Sequence, residues 1–191
     1  MGVDANLCLY SKHKQYHEYS QAAFAMLTAY CEKMPVPLKV TVRGIGGAEY
    51  HIVDTQWRKH PECRVAWDWR SFLERHRKKP KKIEAAFYSQ GVLCGLMYAR
   101  VSRGTVSVNV RYIEGNPWPD SPLKGVFLTV ALMQAEFFAV VIQAKQVAVS
   151  RPAAELIMRY KEMRFELTET DKRLAARGAK PRYHQLIRNV A

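Results

Sequence analysis

Few side chains in this sequence stand at spacings that do chemistry by themselves. His13 and His17 are four residues apart, the spacing that puts two metal ligands on one helix face, but no glutamate follows His13 and no third ligand is close in sequence, so a solvated helix face is the expected role. Cys8, Cys31, Cys63 and Cys94 lie 23, 32 and 31 residues apart, too far for a zinc motif, and read as free thiols in a reducing compartment. Gly44-Ile-Gly-Gly47 lacks the helix and acidic partner of a dinucleotide fingerprint. Spacing alone offers no Ser/His/Asp arrangement. Glu114 stands at the end of the clearest strand pattern, where a carboxylate can take a proton from a substrate directly or through water.

Charge narrows the partners without naming one. The chain of 191 residues carries +13, and ten Lys or Arg against three acids between Arg58 and Lys82 account for +7 of it. Such a segment attracts polyanions: nucleic acid, acidic protein, anionic membrane or a phosphorylated cofactor. With 48% apolar and 25% charged residues the composition is that of one globular domain rather than a disordered chain. The first ten residues lack the basic start and apolar block of a secretory leader, and the most apolar run, 126–142, is interrupted by Gln134 and Glu136 and is short for a bilayer, so a cytoplasmic protein is expected.

The elements that would position a site follow from periodicity. Residues 11–34 predict a helix with Ala22, Ala23, Met26, Leu27 and Tyr30 on one face, stopped by Pro35 and Pro37. Strands are expected at 37–42 and, after a glycine turn, at 48–53, then a helix over 65–78 that carries Trp69, Phe72, Leu73 and His76. A hairpin spans 83–88 and 92–102 across Ser89-Gln-Gly91. The β-branched run 105–114 is the strongest strand; a Pro/Gly-rich loop and an apolar helix over 126–143 follow, with Val126, Val130, Met133, Phe137 and Val141 on a stripe and both sides covered. A strand at 146–150, a helix at 153–163 and closing strands at 165–170 and 183–190 around a polar connection at 171–181 complete the chain.

That order resembles the GNAT acyltransferases. Gln90-Gly-Val-Leu-Cys-Gly-Leu96 looks like their glycine-punctuated hairpin, Arg159-Tyr-Lys-Glu-Met-Arg-Phe165 is similar to their helix-to-strand phrase, and Ser150-Arg-Pro152 stands where many carry Asn-Pro. The likeness covers about residues 83–167 well. The pyrophosphate loop departs from the pattern: Asp120-Ser-Pro-Leu-Lys-Gly125 keeps one glycine, and Pro122 has no N–H to offer.

The resemblance implies an α/β (α+β) fold with a mixed, mainly antiparallel sheet, flanked by helices and splayed at its central strands. It implies transfer of an acetyl or other acyl group from acyl-CoA to an amine. Val110, Arg111, Tyr112 and Ile113 would take the pantetheine arm and thioester; Lys124, Gly125 and Val126 would take the diphosphate at a helix start. Tyr160 matches the tyrosine that protonates the leaving thiolate, with Glu114 as the base; Trp118 and Asp120, beside the loop, are the expected acceptor-site residues. The expected partners are acetyl-CoA or another acyl-CoA and a small-molecule or protein amine. The basic segment admits a nucleic acid, no membrane partner is expected, and a homodimer is compatible with the reading. Three functions thus stand open: an N-acyltransferase, a nucleic-acid-directed protein on the same fold, and a catalytically idle relative acting through protein contacts.

Overall fold

The structure, a computed structural model, describes residues 3–65 and 67–190. A long helix α1 (Val3–Glu32) opens the chain and ends just ahead of Pro35. Its buried side is Tyr16, Ser20, Ala23, Phe24, Leu27 and Cys31, a sequence of three- and four-residue steps. The face expected from the sequence shares only Ala23 and Leu27 with it; Ala22, Met26 and Tyr30 are exposed. Apolar residues run round more than one side of this helix, and the partner decides between them: Tyr16 meets Phe138 of a later helix with ring centroids 6.4 Å apart.

Strand β1 (Thr41–Arg43) is followed by helix α2 (Gly47–Ile52) and a single π-helical turn (Val53–Trp57) in place of the strand expected over 48–53. The Glu49 carboxylate explains the change. It accepts the Gly46 N–H at 2.7 Å, satisfying a donor at the helix start, and also accepts from Arg43 Nε at 3.0 Å and Tyr88 Oη at 2.6 Å. Helix α3 (Trp69–His76) starts at Asp68, whose side chain accepts the Ser71 N–H at 2.9 Å.

The hairpin β2 (Lys82–Ser89) and β3 (Val92–Val101) and the long β4 (Ser107–Gly115) lie as expected, followed by α4 (Phe127–Val141) and β5 (Gln146–Ser150). Then come α5 (Ile157–Glu162), β6 (Glu166–Leu167), α6 (Glu169–Ala176) and β7 (Gln185–Asn189). Helix α6 replaces part of the expected polar connection; it is capped by Thr168, whose Oγ1 accepts the Asp171 N–H at 3.3 Å.

The sheet order is β1-β2-β3-β4-β5-β7-β6, antiparallel throughout except for β4 beside β5. That parallel pair holds from Ser107–Gln146 to Val110–Val149 and stops, while β4 continues to Gly115. Residues 111–115 therefore present a backbone edge that β5 does not cover, and this is the expected splay. Opposite β3 the register jumps from Tyr98–Tyr112 to Ala99–Val110, so Arg111 is an unpaired bulge residue. Val108 and Val110 point into the core shared with α1 and α4; beyond the bulge Tyr112 packs into the smaller core under α2 and α3.

Helix α4 is covered on both sides, by the sheet and by α1, as its composition required. The expected stripe is displaced, however. Phe127, Val130, Ala131, Leu132, Gln134, Ala135, Phe138 and Ala139 are buried, whereas Val126 is exposed. Phe127 lies across the sheet: a Cβ added to Gly95 would fall 2.0 Å from its ring, which is already edge-packed on Phe87 at 5.4 Å. Gly95→Ala is therefore expected to destabilise the protein by about 1–3 kcal/mol, the usual cost of overpacking. Urea unfolding checks this; an unchanged midpoint would mean that the ring swings aside freely.

Candidate active site

Three concavities meet around the uncovered end of β4. The first, about 370 Å³, is the slot between the diverging strands, lined by residues 110–113 of β4, Val149 and Ser150 of β5, Phe127 and Leu128 of α4, and Arg159 and Tyr160 of α5. The second, about 400 Å³, lies at the start of α4 and is lined by Ile113, Glu114, Lys124, Gly125 and again Arg159. The third, about 910 Å³, opens between β4, β5 and the α6–β7 region.

Tyr160 is almost wholly buried, yet its hydroxyl has no hydrogen-bond partner among the described residues, and its side chain lines the slot. Burial pushes its pKa up to about 12, partly offset by neighbouring Arg159. The phenol is thus a proton donor at neutral pH.

The start of α4 leaves several backbone donors unpartnered beside Lys124 and Arg159. Gly125 sits at φ 82°, a conformation that suits glycine. The backbone N–H groups of Gly125, Leu128 and Thr129 have no partner among the described residues, while those of Val126 and Phe127 are taken by the Leu123 carbonyl. Lys124 Nζ donates to the Pro117 carbonyl at 2.8 Å, which ties the loop down beside the cavity, and the Arg159 guanidinium donates to the Gly125 carbonyl. In the sequence Arg159 is only one residue of the helix-to-strand phrase; its bridging place between two cavities is legible only in three dimensions.

Glu114 is 2% exposed and both its oxygens are engaged. Arg58 grips it with two guanidinium nitrogens, one to Oε1 and one to Oε2, the latter at 3.1 Å. Trp69 Nε1 also donates to Oε2 at 2.6 Å. Arg58 reaches further, to the carbonyls of Val65 at 3.2 Å and Trp67 at 2.6 Å. The pair therefore clamps the 58–69 segment over the end of β4. Within the basic segment Arg58 points inward, Arg70 lies over the Tyr50 ring at 5.5 Å, and Lys82 pairs with Glu84.

Of the sequence-predicted residues, Val110, Arg111, Tyr112, Ile113 and Tyr160 meet in the slot, and Glu114, Lys124 and Gly125 in the cavity beside it. Val126, Trp118 and Asp120 line none of the three. Trp118 is 43% exposed and packs edge-on against His60 at 4.4 Å, and Asp120 is exposed. No group of three His, Cys, Asp or Glu among the described residues can hold a metal, and no described helix is long and apolar enough to cross a membrane.

No protein-family model matches the chain, and no curated protein matches its sequence. Solved structures do match its shape. N-acetylglutamate synthase from Neisseria gonorrhoeae, complexed with coenzyme A and N-acetyl-glutamate, superposes with a TM-score of 0.56 at 16% identity over 80% of this chain. Mycobacterium smegmatis RimJ, in complex with CoA-disulfide, gives 0.51 at 13% identity over 78% of this chain and 81% of its own. The Campylobacter jejuni N-acetyltransferase PseH gives 0.51 at 12% identity over 80% and 99%. The chain has the GNAT fold. It spans about a third (35%) of the N-acetylglutamate synthase it matches.

Within the GNAT fold, the slot is the gap left by the β4–β5 divergence, and the elements that line it are β4, β5, α4 and α5. Sequence reading identified all four. It missed the residues that reach this region from elsewhere in the chain: Arg58 and Trp69, which fix Glu114, and Trp67, whose ring meets Tyr112 at 4.7 Å. Their only signal in the sequence was the cluster of tryptophans beside the basic run.

Proposed function

We propose that this protein is an acyl-CoA-dependent N-acyltransferase, with acetyl-CoA as the expected acyl donor and an amine as acceptor. The observation that carries the reading is the slot itself: an uncovered β4 edge facing a buried, unpartnered, protonated Tyr160, with a helix start and two cations at one end. Complexes of two structural neighbours with coenzyme A or its disulfide support it.

The residues fit an acyl-CoA as substrate. The free N–H groups of Gly125, Leu128 and Thr129, together with Lys124 and Arg159, would hold the diphosphate, since exposed donors at a helix start favour anions. The backbone of 110–113 would take the amide-bearing arm. Acyl-CoA supplies a thioester. The acceptor amine, once deprotonated, attacks the thioester carbonyl carbon, the carbon–sulfur bond breaks, and the Tyr160 hydroxyl gives its proton to the departing sulfur. Tyr160 then regains a proton from solvent or from the one the amine lost. Both Glu114 oxygens are already engaged by a guanidinium and an indole N–H, and neither is left free to meet an acceptor amine. We therefore assign Glu114 the positioning of the 58–69 segment rather than the proton abstraction expected of it from the sequence.

Calorimetric titration with acetyl-CoA tests the reading. Wild-type protein should bind it. Arg159→Gln should weaken binding by about 1.5–3 kcal/mol, tenfold or more, the loss expected for a charge-assisted hydrogen bond. No heat of binding with folded wild-type protein would sink the acyltransferase reading.

A further inference from the structure

The 910 Å³ cleft shares Trp67, Arg111, Tyr112, Ser150 and Arg151 with the slot, so it adjoins the place where acyl transfer would occur, and its volume suits a metabolite-sized ligand. Its charges are unevenly arranged. Arg111, Arg151 and Arg182 line it, all exposed, and none forms an ion pair with a described residue. The only carboxylate among its lining residues is Asp171, which is 3% exposed. Asp171 Oδ1 accepts the Arg182 N–H at 2.8 Å. Its Oδ2 has no protein partner among the described residues, and the residue lines the cleft, so acceptor capacity remains beside it.

The backbone joins one of these arginines to the segment that carries another. Arg151 sits at φ 49° and Tyr183 at φ 52°, a left-handed conformation that costs a non-glycine residue. The two segments are pinned together by the Arg151 N–H donating to the His184 carbonyl at 2.9 Å. Arg151 is thereby held at the junction of cleft and slot, against His184, two residues beyond Arg182.

We infer that the acceptor is a small amine that also carries a carboxylate or phosphate, its ammonium received by Asp171 and its anionic group by Arg111, Arg151 and Arg182. This rests on the acyltransferase reading and adds the substrate class. A polyamine meets three like charges here, and a plain amine leaves the arginines unused.

The test is release of CoA from acetyl-CoA with aspartate, glycine, O-phosphoethanolamine, ethanolamine, spermidine and a short C-terminally amidated peptide without acidic side chains, paired with calorimetry of each amine on the CoA-loaded protein. Aspartate and glycine report a carboxylate, O-phosphoethanolamine a phosphate, and ethanolamine is the matched amine without one. An anionic amine should be the best acceptor, about tenfold or more above ethanolamine, the worth of one charge-assisted contact. Arg182→Gln, an exposed change that keeps the fold, should raise KM for that amine about tenfold at constant kcat and leave ethanolamine unchanged. Preference for spermidine, ethanolamine or the peptide overturns the inference. So does wild-type protein that binds acetyl-CoA but neither binds nor acetylates any anionic amine. Wild-type protein that fails to bind acetyl-CoA overturns the acyltransferase reading, and this inference with it.

Discussion

Replacing Glu114 by alanine is expected to destabilise the protein by about 3–5 kcal/mol, because it leaves a largely buried guanidinium without its counter-charge. Arg58 enters the protein at 21% side-chain exposure and Glu114 at 2%, so solvent screens the pair little. The loss is not confined to one bond. Trp69 Nε1 loses its acceptor, and the segment that Arg58 ties through the Val65 and Trp67 carbonyls loses its anchor. A double variant, Arg58→Met with Glu114→Leu, should cost much less than either single change, since removing both charges also removes their desolvation. Chemical denaturation of Glu114→Ala, of the double variant and of its two single components decides it. A Glu114→Ala protein as stable as wild type would show that the pair contributes nothing to holding the segment down.

The second large effect concerns turnover. Tyr160→Phe keeps the ring, including its edge contact with Phe165 at 5.9 Å, and deletes only the hydroxyl. Turnover should fall by about 10²-fold, within the range of general acid catalysis, while acetyl-CoA affinity and stability change little. The raised pKa gives this assignment a pH signature. With its pKa pushed up to about 12 the phenol holds its proton through neutral and mildly alkaline pH, so wild-type kcat should show no alkaline decline attributable to this group below about pH 10, the unperturbed tyrosine value. Slow hydrolysis of acetyl-CoA can serve as the assay until an acceptor is in hand. A Tyr160→Phe protein at wild-type rate would pass the proton donor's role to water.

The parts of the fold legible in the sequence were those with one dominant local signal. The β-branched run in β4, the glycine-marked hairpin β2–β3 and the apolar α4 each carry enough pattern to name the element. Tyr160 was legible because it sits inside a recognisable phrase. Residues 48–53 misled because their apolar alternation mimics a strand, whereas Glu49 caps a helix start through Gly46. Helix α6 escaped notice because Leu174 is its one large apolar residue, followed only by two alanines. The site's electrostatics were beyond reach for a different reason. Arg58 and Glu114 are 56 residues apart, and no spacing rule connects a basic run to a strand end across that distance. Trp118 and Asp120 were placed by proximity in sequence to the loop, but the chain turns them outward instead.

The unpaired residue in β4 acts as a change of parity. Along an unbroken strand, positions 108, 110, 112 and 114 would share one face. Here Val108 and Val110 face the α1/α4 core, whereas Tyr112 joins the α3 side and Glu114 meets Trp69 there. Arg111 is the single insertion that exchanges odd for even. Excising it would join Val110 directly to Tyr112 and restore strict alternation with Tyr112 and Glu114 still on the α3 side and Ile113 still toward the core. Pairing Arg111 into the ladder without a bulge would instead turn the Glu114 carboxylate to the apolar core and Ile113 to Trp69 and Arg58, so the clamp over the strand end and the lining of the slot both depend on this one residue staying out of the ladder, and deleting it should leave both faces in place.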